Sequence, residues 1–467
     1  MTTTVEVAVV GAGVVGSAIA RELVRHDIDV ALIDSADDVG TGTSKANTAI
    51  WHTGFDAKAG TLEARLVARG HTLLDRRAAE SAWPLERIGA LLVAWDDEQR
   101  DRLAHIVSNA NAVGYRRIET LSVAQVYEHE PHLGPGATGG LLVPDEGLLD
   151  PWAVTLVNAT EAVLNGARLL LRAEVTTVET DRRAGSHAIA TARGLVRARW
   201  LVNAAGLGSD TVDRLMGHDG FTVTPRRGEL IVFDKLARPL LNHIVLPVPT
   251  ATTKGVLVSP TVYGNVLLGP TADDVDDRSA TGTTAVGLAS LVTRGRRIVP
   301  ALVDHEITAT YAGLRAATEH SDYCYDVFAD DRYVRVGGIR STGVSAALAL
   351  AELVVHDLAD ADPHLSAHER DDFTLASLPN LAEAGRRPFD DAEAIADDPE
   401  FGRLVCFCER VSAAEIRDAF RQPIPARDAD GLRRRTRTLM GRCQGFFCAA
   451  HVQRLIATDG PGPVPGD

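Results

Sequence analysis

Basic charge is in short supply in this chain. Its 467 residues carry 48 Lys and Arg against 63 Asp and Glu, a formal net charge of −15. Nucleic-acid binding needs a basic footprint, so the balance argues against a nucleic-acid partner. It does not exclude a small anionic substrate, because a few buried arginines set a local field whatever the net charge. Long apolar runs are missing as well. A membrane-spanning helix needs roughly 18–20 apolar residues. The best run here, Val344 to Leu350, is soon broken by Glu352 and His356. The apolar start has no basic segment before it; the first arginine is Arg21, inside a predicted helix, so no secretory signal is read. The expectation is a cytoplasmic protein with no transmembrane segment, reaching a membrane only peripherally and through a partner. Cysteine is scarce too. Cys324 stands alone, and the other four are crowded near the carboxy terminus. In a cytoplasmic chain such crowding suggests metal before disulfide. No solenoid-type repeat is found.

The length predicts two or three domains, and 45% hydrophobic with 24% charged residues is the composition of a soluble globular protein. The most informative stretch comes first. An apolar strand, Val5 to Val10, runs into Gly11-Ala12-Gly13-Val14-Val15-Gly16. A helical pattern then continues to about His26, and Val30-Ala31-Leu32-Ile33 ends in Asp34. Gly11 permits the tight turn, Gly13 lets the backbone approach a pyrophosphate, and Gly16 lets helix and strand pack closely. The helix N-terminus offers unpaired N–H groups to the anion. Asp34 lies 18 residues past Gly16, at the end of the second strand, where a carboxylate accepts from ribose hydroxyls. This context predicts dinucleotide binding and leaves FAD and NAD both open.

Further along, Gly40 to Asn47 is a polar glycine-containing loop that includes Thr43 and Ser44, and it leads into Ile50-Trp51-His52. Helices are predicted over Leu62 to Glu80 and Asp97 to Val113, with a helix starting at Pro151. Leu169 to Val178 reads as one strand. Val196 to Val202 is a strand that delivers Asn203-Ala204-Ala205-Gly206, a second place where small residues admit a ligand. Short β signals at Leu230 to Phe233, Ile244 to Leu246, Gly255 to Ser259, Val266 to Gly269 and Ile307 to Tyr311 suggest a mixed, mostly antiparallel sheet. Then Tyr333 to Val336, Gly337-Gly338 to Gly343, and the helix from Val344 repeat the opening order of strand, glycine turn and helix.

The fold expected is α/β: a Rossmann-like cofactor-binding domain, a mixed or antiparallel-sheet substrate domain and a small carboxy-terminal module. Residues 1–85, 140–215 and 325–360 are assigned to the discontinuous first domain, and 86–139 with 216–324 to the second. A linker covers 361–401, the module 402–457 and a disordered tail 458–467. The module's cysteines read Cys406-Phe407-Cys408, then 34 residues, then Cys443 and, after four more, Cys448. Four thiolates hold Zn²⁺ or an iron–sulfur cluster. A CxC beside a Cx4C is unusual for zinc, which prefers two-residue spacers, and suits a [2Fe–2S] rhomb; zinc stays as the alternative.

Two resemblances extend this. Cys406-Phe407-Cys408-Glu409, Thr438 to Gly445 and Cys448 are similar to the [2Fe–2S] module of bacterioferritin-associated ferredoxin. Residues 5 to about 360 resemble FAD-dependent oxidoreductases of the glycine/D-amino-acid-oxidase-like family, through the opening glycines, Asp34, Thr43 to Asn47, Ala204 to Gly206, and Gly337-Gly338 with Gly343. Within that family, Ser44 to Asn47, His52 to Asp56 and Lys254 to Val258 are similar both to glycerol-3-phosphate dehydrogenases with such a tail and to L-2-hydroxyglutarate dehydrogenases. The resemblance implies FAD, held by Gly11, Gly13, Gly16, Asp34, Thr43, Ser44, Ala205, Gly206, Gly338 and Gly343. It implies a [2Fe–2S] cluster on Cys406, Cys408, Cys443 and Cys448, and an electron-accepting partner subunit. The helix opening at Gly343 is expected to point its N–H groups at the flavin, where negative charge grows on reduction.

Oxidising a secondary alcohol moves a hydride to flavin while a base takes the hydroxyl proton. His52 is the candidate base, with a structural histidine or a covalent flavin anchor as the other readings. Arg315 is the candidate clamp for a carboxylate or phosphate; otherwise it pairs with Glu319 or Asp322. Lys254 and Tyr263 are further candidates, followed by Arg226 and Arg227. Asp273, Asp274, Asp276 and Asp277 read as a solvated loop, and Cys324 as a core thiol. The activity expected is an FAD-dependent dehydrogenase, with glycerol 3-phosphate first, L-2-hydroxyglutarate or another 2-hydroxy acid next, and an amino acid or opine third. The Gly338 to Gly343 turn lacks the Lys-Thr-Thr-Tyr-Arg run of glycerol-3-phosphate dehydrogenases and is closer to the hydroxyglutarate type, which keeps the second substrate in contention. The competing class is an iron–sulfur electron-transfer subunit without turnover of its own.

Overall fold

The structure is a computed structural model that describes residues 2–81, 83–249, 255–365 and 368–462. Lys254 and the tail from 463 onward lie outside the described residues.

The opening strand, Thr2–Val10, is the centre of an eight-stranded sheet. It pairs in parallel with Val30–Ile33 on one side and Gly194–Asn203 on the other. Arg168–Leu170 extends the parallel order beyond Val30–Ile33, and Tyr333–Gly337 beyond Gly194–Asn203. Val30–Ile33 and Tyr333–Gly337 are buried along their whole length, as a parallel sheet covered on both faces requires. The helices Val14–Arg25, Pro151–Leu164 and Gly343–Ala361 pack together against this sheet, and Leu62–Ser81 packs on the last of them. Ile19, Leu23 and Leu350 are fully buried in that core.

The segment expected as one strand from Leu169 to Val178 is two. Arg172 adopts a left-handed φ of 52°, and the amides of Arg172 and Ala173 bond to Ala36 and Asp34 carbonyls, which turns the chain. The second piece, Val175–Asp181, then forms an antiparallel hairpin with Ser186–Thr191. Backbone bonding to the second strand's exit loop overrides a β-rich local sequence here.

A second, nine-stranded sheet is mixed and mostly antiparallel. Thr224–Phe233 and Ile307–Ala317 pair along their whole length, with Arg226 opposite Arg315. Gly139–Val143 also belongs to this sheet, pairing with Ala90–Ala94, so the expected boundary at 140 falls inside a strand. The polar segment after residue 368 lies along the first sheet's helices. Thr374 N–H donates to Asn165, Ala376 N–H to Glu161, and Ala376 and Leu381 are buried. The carboxy-terminal module has a two-stranded ribbon, Leu404–Cys406 with Val411–Ser412, and three helices, Ala413–Arg421, Ala429–Thr436 and Ala449–Asp459. Among the described residues, no helix is long and apolar enough to cross a membrane.

Candidate active site and thiol centre

The glycine turn is built as its spacing requires. Gly11 has a φ of 107°, and a Cβ there would stand 2.3 Å from the Ala204 carbonyl oxygen. At Gly16 a Cβ would lie 1.8 Å from the Gly11 oxygen. Gly13 caps the helix with no side chain of its own, and the first helical turn carries no acid. An added Cβ at Gly13 would sit 3.1 Å from Ser44 Oγ, which accepts the Val14 N–H at 2.9 Å. Asp34 Oδ2 accepts from Ala12 N–H at 2.6 Å and Oδ1 from Ala36 N–H at 2.9 Å. Burial outweighs these donors and lifts the Asp34 carboxyl above its ordinary range. Each carboxylate oxygen keeps a second acceptor position for a hydroxyl. Ala205 and Gly206 follow Asn203 at the end of the neighbouring strand, and Gly206 has a φ of 55°.

The second glycine turn comes to the same place. A Cβ on Gly343 would lie 3.9 Å from Val14 Cγ1, so the two helix starts are neighbours. Gly338, at φ 66°, leaves room beside Cys324 and Thr318. Thr43 Oγ1 donates to the Leu314 carbonyl at 2.9 Å, and Tyr311 OH donates to the Asn47 carbonyl at 2.8 Å. The loop 43–47 is thereby laced to the strand that carries Arg315. A helix N-terminus free of acids, glycines whose Cβ positions are taken up by close neighbours, and an acid at the next strand's end fit the ADP half of FAD.

His52 stands just beyond this loop. Its backbone N–H donates to Ser345 Oγ at 3.0 Å, which ties it to the helix opening at Gly343. Its Nδ1 lies 3.0 Å from Oε2 of Glu146, a fully buried carboxylate. Oε1 of Glu146 accepts both the Thr53 N–H, at 2.6 Å, and Thr53 Oγ1, at 2.8 Å. Burial by itself lowers the His52 pKa, but the Glu146 carboxylate outweighs it and holds the imidazole above its ordinary value. Reciprocally, burial would raise Glu146, and His52 with Thr53 holds it below the usual carboxylate range. Sequence reasoning passed over Glu146. Its signal was an acid between two apolar strands, Gly139–Val143 and Gly147–Leu149, a poor place for an unpaired charge.

Arg315 is half-buried in the second sheet, with Nη1 3.5 Å from the Thr271 carbonyl. Neither carboxylate weighed as its partner takes it: Glu319 accepts from Thr222 N–H, and Asp322 from Leu62 and Glu63 N–H. Burial, then the nearby Arg226 charge, lowers the Arg315 pKa. Arg226 is engaged by Asp274 at 2.6 Å, and Arg227 lies 3.3 Å from Glu229.

Tyr263 is buried elsewhere, where the carboxy-terminal module meets the second sheet. Its ring stacks on Trp152 at 5.5 Å, and the Arg437 guanidinium lies 3.8 Å above it. Trp152 Nε1 donates to the Lys45 carbonyl at 3.2 Å, so this stack links the module to the 43–47 loop.

The module is seated by buried charge. Asp38, four residues past Asp34, accepts from Arg434 at 2.5 Å and from Arg435 at 2.7 and 2.8 Å. Glu409, next to Cys408, pairs with Arg437 at 2.8 Å and Lys235 at 3.1 Å. Arg442 reaches Asp234 at 2.6 Å. Asp37-Asp38 and the Arg433-Arg434-Arg435 run were visible in the sequence, but their pairing across nearly 400 residues was not.

The four distal thiols converge as two hydrogen-bonded pairs, Cys408 with Cys443 and Cys406 with Cys448. Cys443 Sγ also accepts N–H groups from Phe447, Gly445 and Phe446, a nest that lowers its pKa. Gln444 and Gly445 reach this turn through left-handed φ values of 47° and 85°. Among the described residues no group of three or more His, Cys, Asp or Glu is placed to hold a single ion. Two thiol pairs fit a two-iron rhomb, which takes two sulfur ligands on each iron.

A Rossmann-like sheet with doubled glycine turns, a substrate sheet beside it and a thiol module define a nucleotide-cofactor oxidoreductase with an appended redox domain. The chain belongs to the FAD dependent oxidoreductase family, whose model matches residues 6–356, and residues 404–458 match the BFD-like [2Fe-2S] binding domain. It is similar to a glycerol 3-phosphate dehydrogenase of Caloramator mitchellensis, 34% identical over 97% of this chain and 94% of that one. A mitochondrial L-2-hydroxyglutarate dehydrogenase of Arabidopsis thaliana is 27% identical over 75% of this chain and 83% of its own. Among solved structures, the dithionite-reduced L-alpha-glycerophosphate oxidase of Mycoplasma pneumoniae with FAD bound superposes with a TM-score of 0.75. It is 28% identical and covers 80% of this chain and 99% of the other.

Proposed function

We propose that this FAD-dependent oxidoreductase is a dehydrogenase that oxidises the secondary alcohol of sn-glycerol 3-phosphate and sends the electrons through its carboxy-terminal [2Fe–2S] domain to a partner subunit. The observation that carries the proposal is the His52–Glu146 pair, anchored to the helix that opens at Gly343. When bound, FAD supplies the hydride acceptor and the cluster supplies one-electron transfer. The glycine turns with Asp34 and Ser44 would hold the first, and Cys406, Cys408, Cys443 and Cys448 the second. An ionised Glu146 only accepts hydrogen bonds, so His52 keeps its proton on Nδ1 and presents the Nε2 lone pair. That lone pair takes the substrate hydroxyl proton. Arg315, which no described carboxylate neutralises, binds the phosphate through its fork. Lys254 is offered as a second cation for that group. Tyr263, held between Trp152 and Arg437, serves the module's seat instead.

The nearly full-length likeness to a glycerol 3-phosphate dehydrogenase supports the substrate. A direct reaction with oxygen would need no cluster, so the thiol module favours dehydrogenase over oxidase. The second reading is an L-2-hydroxyglutarate or other 2-hydroxy-acid dehydrogenase, supported by the Arabidopsis relative and by the Gly338 to Gly343 turn. The test is anaerobic mixing of the holoenzyme with glycerol 3-phosphate, L-2-hydroxyglutarate, lactate and proline-like amines. The flavin should bleach fastest with glycerol 3-phosphate. Faster bleaching by hydroxyglutarate would transfer the assignment to the second reading, and no bleaching by any member would leave an electron-transfer subunit.

A further inference from the structure

Hydrophobic side chains left in water at a thiol centre need an explanation. The module buries Val405, Val411, Ile416, Phe420, Leu432, Leu439 and Val452 in its own small core. Phe407, Phe446 and Phe447 stay outside it, 58%, 95% and 68% exposed. Among the described residues they are the only phenylalanines left exposed. All three lie inside the cysteine loops: Phe407 between Cys406 and Cys408, and Phe446 with Phe447 between Cys443 and Cys448. Phe407 and Phe447 meet edge to face at 5.1 Å, so the two loops share one aromatic rim. The ion pairs that seat the module use Glu409, Arg434, Arg435, Arg437 and Arg442. Intramolecular docking therefore leaves the aromatic rim in solvent.

The module's charge runs against the rest of the chain. Between Leu404 and Asp459 there are ten arginines and six acidic residues, in a protein of net charge −15. Arg442 stands beside Cys443, and Arg454 is exposed on the helix that follows Cys448. An apolar centre in a basic surround matches an apolar face rimmed by carboxylates.

We propose that Phe407, Phe446 and Phe447 form the docking surface for an acidic one-electron carrier protein, seated directly over the thiol centre. The proposal rests on the reading that the four cysteines hold a redox cluster. The transfer is simple to balance: the reduced module loses one electron, the carrier's oxidised centre gains it, and no bond is made or broken. Placement of the rim on the ligand loops themselves brings the two centres as close as the surfaces allow. The basic surround speeds encounter with an acidic partner and makes it salt-sensitive.

The test uses the full-length holoenzyme, reduced chemically with dithionite so that it does not depend on the substrate assignment. The reduced protein is mixed in a stopped-flow instrument with one of two purified probes, an acidic plastocyanin-type blue-copper protein or a basic c-type cytochrome. The copper protein should be reduced faster, and its rate should fall as ionic strength rises. A Phe446→Ser/Phe447→Ser variant should lose at least tenfold in that rate while reducing ferricyanide as the parent does, and Phe446→Leu/Phe447→Leu should recover most of it. If the double serine variant loses its iron–sulfur absorption, the single Phe446→Ser variant takes its place. An unchanged rate in the serine variant, or a preference for the basic cytochrome, overturns the proposal. So does concentration-dependent dimerisation, or cosedimentation with anionic vesicles, that the serine substitutions abolish, since the rim would then belong to a second copy or to a lipid surface. Failure of flavin bleaching with glycerol 3-phosphate, by contrast, would refute the substrate reading alone.

Discussion

Replacing Glu146 with Gln removes one charge and leaves the shape. Its effect follows from four hydrogen-bonding groups. In the parent, Oε1 takes two donors from Thr53 and Oε2 takes His52 Nδ1–H at 3.0 Å. Glutamine has one oxygen and one NH₂. Two Thr53 donors outvote one histidine, so the amide oxygen turns to Thr53 and the NH₂ faces Nδ1. The imidazole must then accept at Nδ1, which moves its proton to Nε2 and destroys the base. The Coulomb attraction lost is gross but large, about 5 kcal/mol for unit charges 3.0 Å apart at an effective dielectric near 20. A neutral but wrongly protonated histidine predicts a fall in the flavin-reduction rate of roughly 10³–10⁴-fold, the scale seen when a base is held in the wrong tautomer. The pH profile changes as well. In the parent, the His52 pKa is raised, so the base is lost as pH falls through a value above the ordinary histidine range. Without the carboxylate, burial dominates and the acid limb moves to lower pH. Single-turnover bleaching by glycerol 3-phosphate across pH 5–9, on protein with parent-like flavin content, reads both effects. A rate within threefold of the parent, or an acid limb that stays put, would refute the assignment of His52 as base.

Three other perturbations test the remaining parts. Arg315→Met should cost about 2–3 kcal/mol of anion binding, a loss of roughly 30- to 150-fold in kcat/KM carried mainly by KM; an unchanged KM would remove Arg315 from the substrate site. Asp38→Asn leaves Arg434 and Arg435 buried without their carboxylate, and the module's seat should weaken by about 3–5 kcal/mol. Faster proteolysis between the module and the rest, with a lower Tm, is the expected readout, and an unchanged Tm would refute it. Burial pushes the Asp38 carboxyl up, but Arg435 and Arg434 hold its pKa below the ordinary range. Its contribution is therefore complete above the ordinary aspartate value and is lost as pH falls through the lowered one, so proteolysis of the parent should accelerate only in that acid window. Cys443→Ser should abolish the visible iron–sulfur absorption and reduction of the partner while flavin bleaching persists; loss of bleaching as well would reverse the proposed order of electron flow.

Much of the site was legible because it is local. Gly11, Gly13, Gly16 and Asp34 lie in one strand–turn–helix–strand unit, where spacing along the chain dictates spacing in space. The two cysteine pairs are legible for the same reason, since each loop holds its own thiols. The Leu169 to Val178 segment was misread because the bend at Arg172 is stabilised by Ala36 and Asp34, more than a hundred residues away.

The sequence by itself thus determined the α/β class, the glycine cradle, the thiol set and the identity of His52 and Arg315 as candidates. Only the tertiary structure decided what those side chains face. Glu146 becomes a histidine's partner because Gly147–Leu149 pairs with Ile50–Trp51, and Arg315 lacks a described carboxylate partner because Glu319 and Asp322 accept from backbone amides. Tyr263 is drawn to the module by Arg437, and Asp38 binds arginines from the far end of the chain. Those pairings are set by desolvation: a charge taken out of water must find its counterion wherever the fold brings one, and sequence separation says nothing about where that is.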